Sequence, residues 1–467
     1  MAQDQNIEGK AKVTVDTNRL CAYIEVLPPE GDGEPFTIDK AKELIKKNEV
    51  VFGLLEDGIA DAVMMKNWNE KILIAQGIEP RNGLPAKIEY KFPVADEKMA
   101  PKIDEQGNVD YYDLGLINNV RKGEAVAIRK PPAPGEDGTD VYGCPLPFKP
   151  GKDLVLPRGK NTVVDQDRLK LYAVIDGSVS LRSGKVTVEP VFNLKGNVDF
   201  TTGNIDFIGD VAIGGMVTHG FKVYAEGNIE IRGLIENAEV VAGGNIQVKG
   251  GITGNMNCVV KAGGSIQARF VENARLEAGD NIYIREAIMQ AQVKAGGSVK
   301  VSDKKAIIVG GVIQAAREVE SKVIGSQFAT QTVVEVGINP MHREEYYTIM
   351  KEYEKKKREL AVISQSITRF QQSGRQIESL DDGKRSLLIR QLDEFKTFRE
   401  QITDMEDRIA FLEEEFKHGE AAKVKVIDVV YPGVKITIGR SIYLVNDPIK
   451  SSSFILEGGD VRIGDLR

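Results

Sequence analysis

One short phrase, returning five times over residues 225–301, constrains this chain more than anything else in it. It reads Ala225-Glu-Gly-Asn-Ile-Glu-Ile231, Ala242-Gly-Gly-Asn-Ile-Gln-Val248 and Ala262-Gly-Gly-Ser-Ile-Gln-Ala268, then Ala278-Gly-Asp-Asn-Ile-Tyr-Ile284 and Ala295-Gly-Gly-Ser-Val-Lys-Val301. The intervals between the leading alanines are 17, 20, 16 and 17 residues, a period of the size that stacks supersecondary units into a solenoid. Within each unit two apolar residues flank a polar one, so both point to one face of a strand. No unit can bury that face alone, and each needs a neighbour above and below. The glycines before each strand are expected to supply a corner with positive φ. Rungs about 4.8 Å apart make eight of them, over residues 191–337, a rod of about 40 Å.

Residues 1–190 carry no repeat. Thr37 is placed to cap a helix running to Lys47, with Ile38, Ala41, Leu44 and Ile45 on one face. A second helix is expected from Ile59 to Trp68, and strands over residues 71–75 and 88–92, which together make a small α+β domain. Its most distinctive stretch runs Pro131-Pro-Ala-Pro-Gly-Glu-Asp-Gly-Thr-Asp-Val-Tyr-Gly-Cys-Pro145. Prolines and glycines at that density force an ordered array of turns. Glu136, Asp137 and Asp140 raise the question of a cation, but the spacing of a calcium loop and its closing Glu are absent. A rigid structural loop is the better reading.

Past Asn339-Pro340 glycine nearly vanishes and charge rises. Tyr346, Ile349, Tyr353, Lys356, Leu360, Ile363, Ile367 and Phe370 fall at alternating intervals of three and four, with Lys356 the one polar defect. After a glycine-containing break, Phe395, Phe398, Ile402, Met405, Ile409, Leu412 and Phe416 form a second seam. Two such arms describe an antiparallel coiled-coil hairpin over residues 338–419. The rung pattern then resumes at Val434-Lys-Ile-Thr-Ile438, and Glu457-Gly-Gly-Asp-Val-Arg-Ile463 restates the central phrase, so a further rung is expected there. The hairpin therefore interrupts the solenoid, which residues 420–467 complete and cap. Partner contacts are expected at its tip, around Phe370, Arg375, Ile377, Lys384 and Arg385.

These residues carry a family resemblance. Arg121-Lys-Gly-Glu124, the turn array at 134–143, Asp176-Gly-Ser-Val179, Gly203-Asn-Ile-Asp-Phe-Ile-Gly209, the rungs and the inserted hairpin together resemble the flagellar assembly protein A family. The resemblance covers nearly the whole chain. It implies a right-handed parallel β-helix in a mainly β protein, an N-terminal α+β domain, no catalytic residues and a link to flagellar assembly or polar organisation. On it, Pro134, Gly135, Gly138, Thr139, Asp140 and Gly143 are a family motif with a structural role. Members also look like the β-helical half of the division inhibitor MinC, which makes a polymer-forming regulator an alternative.

Bulk chemistry narrows the function further. A net charge of −7 gives no global electrostatic case for nucleic acid. Three scattered cysteines make no metal spacing and suit a reducing compartment. No apolar run reaches bilayer length and no secretory leader is evident, so a cytoplasmic protein without membrane insertion is expected. Hexapeptide acyltransferases have similar rungs but need a general base, commonly His. Of His219, His342 and His418, only His219 lies between rungs. The other two fall at the feet of the hairpin and are expected on its surface. No phosphate-binding frame and no nucleophile constellation is present. The chain reads as a scaffold without cofactor or metal, binding protein partners, with self-association open.

Overall fold

In the computed structural model the described residues are 10–29, 34–64, 68–94, 102–103, 109–110, 112, 114–372, 382–417 and 421–466. They fall into two compact units.

The first unit comprises residues 1–94, 122–174 and 181–187. Helix α1, Ile38–Lys47, starts where Thr37 Oγ1 accepts the Lys40 N–H and buries Ala41 and Ile45. Helix α2 spans Glu56–Met64, one turn ahead of its expected position, because Leu55 N–H is taken by Ile74 O and the chain turns there. Both helices pack on an antiparallel sheet of Lys10–Val15, Cys21–Leu27 and Lys71–Gln76, whose apolar face holds Ala22, Ile24 and Ile74. A second antiparallel sheet orders Thr162–Val164, Lys170–Ala173, Ala125–Lys130 and Lys87–Tyr90.

The second unit holds the solenoid, about eight turns over residues 191–336. Successive layers pair in parallel, with local shifts of register at residues 253–258, 268–270 and 321–323. One column of buried side chains runs Ile229, Ile246, Ile266, Ile282, Val299, Val319 and Val424. Another runs Ala225, Ala242, Ala262, Ala278, Ala295, Ala315, Val336 and Ile438. Like residues stack on like, so each methyl packs against its copy one layer away, and the core is a single cluster from Val198 to Phe454. Both columns cross the helical insertion without a shift.

The repeat glycines work differently from expectation. None of Gly243, Gly263, Gly279 or Gly296 has positive φ. They are stacked so closely that a Cβ on Gly263 would lie 2.2 Å from the Gly243 carbonyl oxygen, and one on Gly279 2.1 Å from that of Gly263. Left-handed corners occur elsewhere in the turn, at Asn237, Asn273, Gln290 and Gly310, with φ of 46, 49, 47 and 72°. Asn and Gly take up that geometry readily, whereas Gln290 adopts it without such a preference. Beside the glycines runs a polar ladder. Asn228 N–H donates to Asp210 Oδ1 at 2.7 Å, Asn245 N–H to Asn228 Oδ1 at 2.9 Å, and Ser298 N–H to Asn281 Oδ1 at 2.9 Å.

The first layer is an incomplete rung: Leu194 pairs in parallel with Ile213 and Val198 bridges Val217, while Phe200 is largely exposed. One expected rung differs. Glu457–Ile463 is an antiparallel hairpin of Ile449–Glu457 and Asp460–Asp465, not a parallel rung. Gly458 and Gly459 both have positive φ, 64 and 90°, the backbone of a two-residue hairpin turn. Ahead of it, Lys423–Val430 and Val434–Ile438 are true parallel layers. Ser441–Leu444 and Ile449–Glu457 then run antiparallel over them.

Candidate functional site

Helix α3, Pro340–Gln372, and helix α4, Asp382–Lys417, form the insertion. Asn339 Oδ1 accepts the Met341 N–H at 3.0 Å, and Pro340 at the first helical position loses no hydrogen bond. Side-chain contacts pair the helices antiparallel. Tyr346 Oη donates to Glu413 Oε1 at 3.1 Å, Tyr353 Oη to Glu406 Oε1 at 2.9 Å, and Ser366 Oγ to Gln391 Oε1 at 3.1 Å. In each pair the residue numbers sum to nearly the same value, so the register holds along the arm. Lys356, the polar defect of the seam, sets its ammonium 4.6 Å from the Phe398 ring centroid, a cation–π contact that lets it occupy a seam position. Arg408 donates twice to Glu345, at 2.7 and 2.8 Å, and holds that carboxyl below the usual carboxylate range.

The foot of α3 is fixed to the solenoid face. Arg343 Nη1 donates to Glu335 Oε2 at 2.8 Å, and Gln314 Nε2 to the same oxygen at 2.8 Å. Lys294 Nζ bonds Glu344. Between foot and face lies a cleft of 350 Å³, lined by charged residues that include Lys261, Arg275, Glu277 and Lys294. Within it Lys261 stands 3.1 Å from Glu277, and Lys294 pairs with Glu344.

The tip residues fare unevenly. Arg375 and Ile377 lie outside the described residues, as does the side chain of Lys384. Phe370 is half-buried and Arg385 exposed. His342 departs from expectation: its Nδ1 is buried and its ring stands edge-on to Phe411, with centroids 6.4 Å apart. His418 lies outside the described residues. His219 is exposed, and its Nδ1 bonds the side-chain amide of Asn237 on the next layer.

The turn array at 134–143 folds back on the first unit. Asp140 is buried, and its Oδ1 accepts the N–H groups of Tyr142 at 3.0 Å and Cys144 at 2.8 Å. Arg19 Nη1 lies 4.0 Å from the other carboxylate oxygen. Gly138 and Thr139 pair with Leu146 and Pro145. A Cβ on Gly138 would sit 2.2 Å from Ile78 O, and one on Gly135 2.6 Å from the Phe148 ring, while Gly143 has φ of 80°. Backbone proximity and turn geometry thus use these residues. Among the described residues no group of three His, Cys, Asp or Glu side chains is placed to hold a metal ion.

Sequence reasoning missed Phe328. It stands 94% exposed on the loop 325–331, which is itself held by the Ser326–Thr330 hydroxyl pair at 2.7 Å and an Ala329 N–H to Ser326 O bond at 3.0 Å. An aromatic in a loop without periodicity gives no burial signal, so nothing in the sequence marks it.

Two family models match the chain. The Flagellar Assembly Protein A beta solenoid domain covers residues 190–461, and the Flagellar Assembly Protein A N-terminal region covers residues 11–184. The chain belongs to the Flagellar Assembly Protein A family. No curated protein and no solved structure shows a significant match. Membership in Flagellar Assembly Protein A ties the chain to flagellar assembly, and the family is not a known enzyme family. No helix among the described residues is long and apolar enough to cross a membrane.

Proposed function

We propose that this chain is a non-enzymatic cytoplasmic scaffold of flagellar assembly or polar organisation, which holds protein partners on the solenoid faces and the helical hairpin. The observation that carries this reading is the mount of the hairpin. Arg343, Glu335 and Gln314 join α3 to a solenoid face through two bonds to one carboxylate oxygen. A helix of 33 residues held at its foot is a long rigid surface, and such a surface suits docking more than chemistry. Phe328 offers a second contact point, since an aromatic displayed on an ordered loop is the type of residue that anchors interfaces. The three cysteines are all unpaired, in keeping with a reducing compartment.

Affinity capture of flagellar components from cells tests the reading, with full-length protein, a hairpin-less variant and Phe328→Ala side by side. A defined flagellar protein retained by full-length chain and lost from one variant supports it. Equal capture by all three contradicts the assigned surfaces. The enzymatic alternative has its own test: saturable acyl-CoA binding that disappears in His219→Ala would overturn the scaffold reading.

A further inference from the structure

The two ends of the solenoid are finished differently. At the first layers, chain from ahead of the solenoid lies against the rungs. Asn119 Nδ2 donates to the Asp206 carbonyl at 3.1 Å, and the Tyr112 ring packs 5.1 Å from that of Phe221. At the far end the last strand, Asp460–Asp465, pairs with Ile449–Glu457 along one edge. Among the described residues its other edge has no strand partner.

That terminal layer is not a polar lid. Val461 stands opposite Leu456 and Ile463 opposite Phe454, so both occupy the face that carries the core. Phe454 is fully buried, Val461 packs partly against the core, and Ile463 is 45% exposed. The neighbouring Ser441–Leu444 exposes Ile442 and Leu444 on the face away from the core, since it is Tyr443 that stands opposite buried Ile436. An edge strand with exposed apolar residues on the face that carries the core invites another strand.

The charges of the strand select which strand that is. An antiparallel copy of Asp460–Asp465 that keeps both core faces on one side must set some residue opposite its own duplicate. Centring on Asp460, Arg462 or Asp465 places like charges face to face, centring on Ile463 sets Val461 against Asp465, and centring on Gly464 sets Ile463 against Asp465. Centring on Val461 instead sets Asp460 against Arg462 of the second copy, twice. It also brings Val461 against Val461, so the two cores join. The bond from Arg462 to Glu457 within the chain is 3.9 Å long between groups about two-thirds exposed, and leaves the guanidinium available.

We propose that two copies of this chain pair end to end through the outer edge of residues 460–462, in an antiparallel two-fold register centred on Val461, to form a closed dimer. An isologous contact of this kind uses the open edge of each copy and cannot propagate into a filament. The inference concerns self-association and stands apart from which flagellar component the chain carries.

Sedimentation of the full-length chain over a range of concentrations tests it. Wild type is expected to move from 51.3 kDa to twice that mass and no further. Arg462→Asp sets Asp against Asp and Asp460→Arg sets Arg against Arg, so each alone weakens pairing by about tenfold or more. Mixing these two variants restores both opposite-charge contacts, and a mixed dimer of wild-type strength is expected. The mixture also shows that neither variant is simply misfolded. A wild type that stays monomeric up to about 100 µM overturns the proposal, as does growth beyond the dimer. Single variants that pair like wild type, or a mixture that gains nothing, overturn it too.

Discussion

The side-chain oxygen of Asn245 accepts the backbone N–H of Ser265, 2.8 Å away on the next layer of the solenoid. The amide of Asn245 in turn reaches back to Asn228 Oδ1 at 3.2 Å. The repeat therefore places Asn, Asp or Ser after its glycines for a reason separate from turn preference. Each side chain occupies a backbone donor that the wide corner would leave without a strand partner. Asn245→Ala is expected to cost about 1 kcal/mol of unfolding free energy in urea titration. Asn245→Ser, the residue that fills the same place in the repeat at 265 and 298, keeps an acceptor and is expected to fall nearer wild type.

Glycine stacking gives a sharper contrast. A Cβ on Gly279 meets the Gly263 carbonyl oxygen at 2.1 Å, whereas one on Gly383 meets nothing within 4 Å. Gly279→Ala should cost about 3 kcal/mol, because backbone on both sides cannot move apart without opening the ladder. Gly383→Ala, in the first turn of α4, should gain about 0.5 kcal/mol from reduced chain entropy. Neither glycine has positive φ, so thermal unfolding of the two variants in parallel isolates close approach as the reason for glycine at 279.

How much of the fold is legible in the letters depends on what each letter has to satisfy. The phase of Ile246, Ile266 and Ile282 is a burial signal, and burial is what fixes a solenoid, so the column can be read directly. The hairpin seams are equally readable, down to Lys356 as the one misfit. Letters alone do not report backbone dihedrals. Gly243-Gly244 and Gly458-Gly459 are the same dipeptide, yet the first pair permits close stacking and the second makes a left-handed turn. Their neighbours in space make the difference, because another layer stacks on the first pair and none on the second. Phe328 is invisible for the opposite reason, since exposure leaves no periodic trace.

The insertion should be separable. Replacing residues 341–417 by a short glycine linker removes Arg343, Glu344 and both seams. The layers Glu318–Ile324 and Lys423–Val430 still pair with each other directly. Circular dichroism is expected to lose most of its helical component, α1 and α2 remaining, and keep a cooperative β-type transition. Loss of that transition would mean the hairpin is needed to form the solenoid.

Acid should act on the hairpin through Glu345. Arg408 lowers the carboxyl's pKa in the folded arm from its ordinary 4.5. A depressed folded pKa contributes stability above the unfolded value, and that contribution falls away as pH drops through the folded one. The arm is therefore expected to hold steady from pH 7 to about 5 and weaken below about 4.5. In Glu345→Gln this part of the acid dependence should vanish, as read from helical ellipticity against pH. Unchanged acid sensitivity in the variant would assign it to other carboxylates.

The central claim is one continuous column of rungs on both sides of the helical insertion, and a cysteine cross-link tests it most directly. Glu320 and Lys425 are register partners although more than a hundred residues separate them, and Lys300 and Glu320 are partners one layer earlier. With the native cysteines replaced, Glu320→Cys/Lys425→Cys should form a disulfide under mild oxidation as readily as Lys300→Cys/Glu320→Cys, since parallel neighbours lie about 4.8 Å apart. If the second pair links and the first does not, the column ends at the hairpin and the account is wrong.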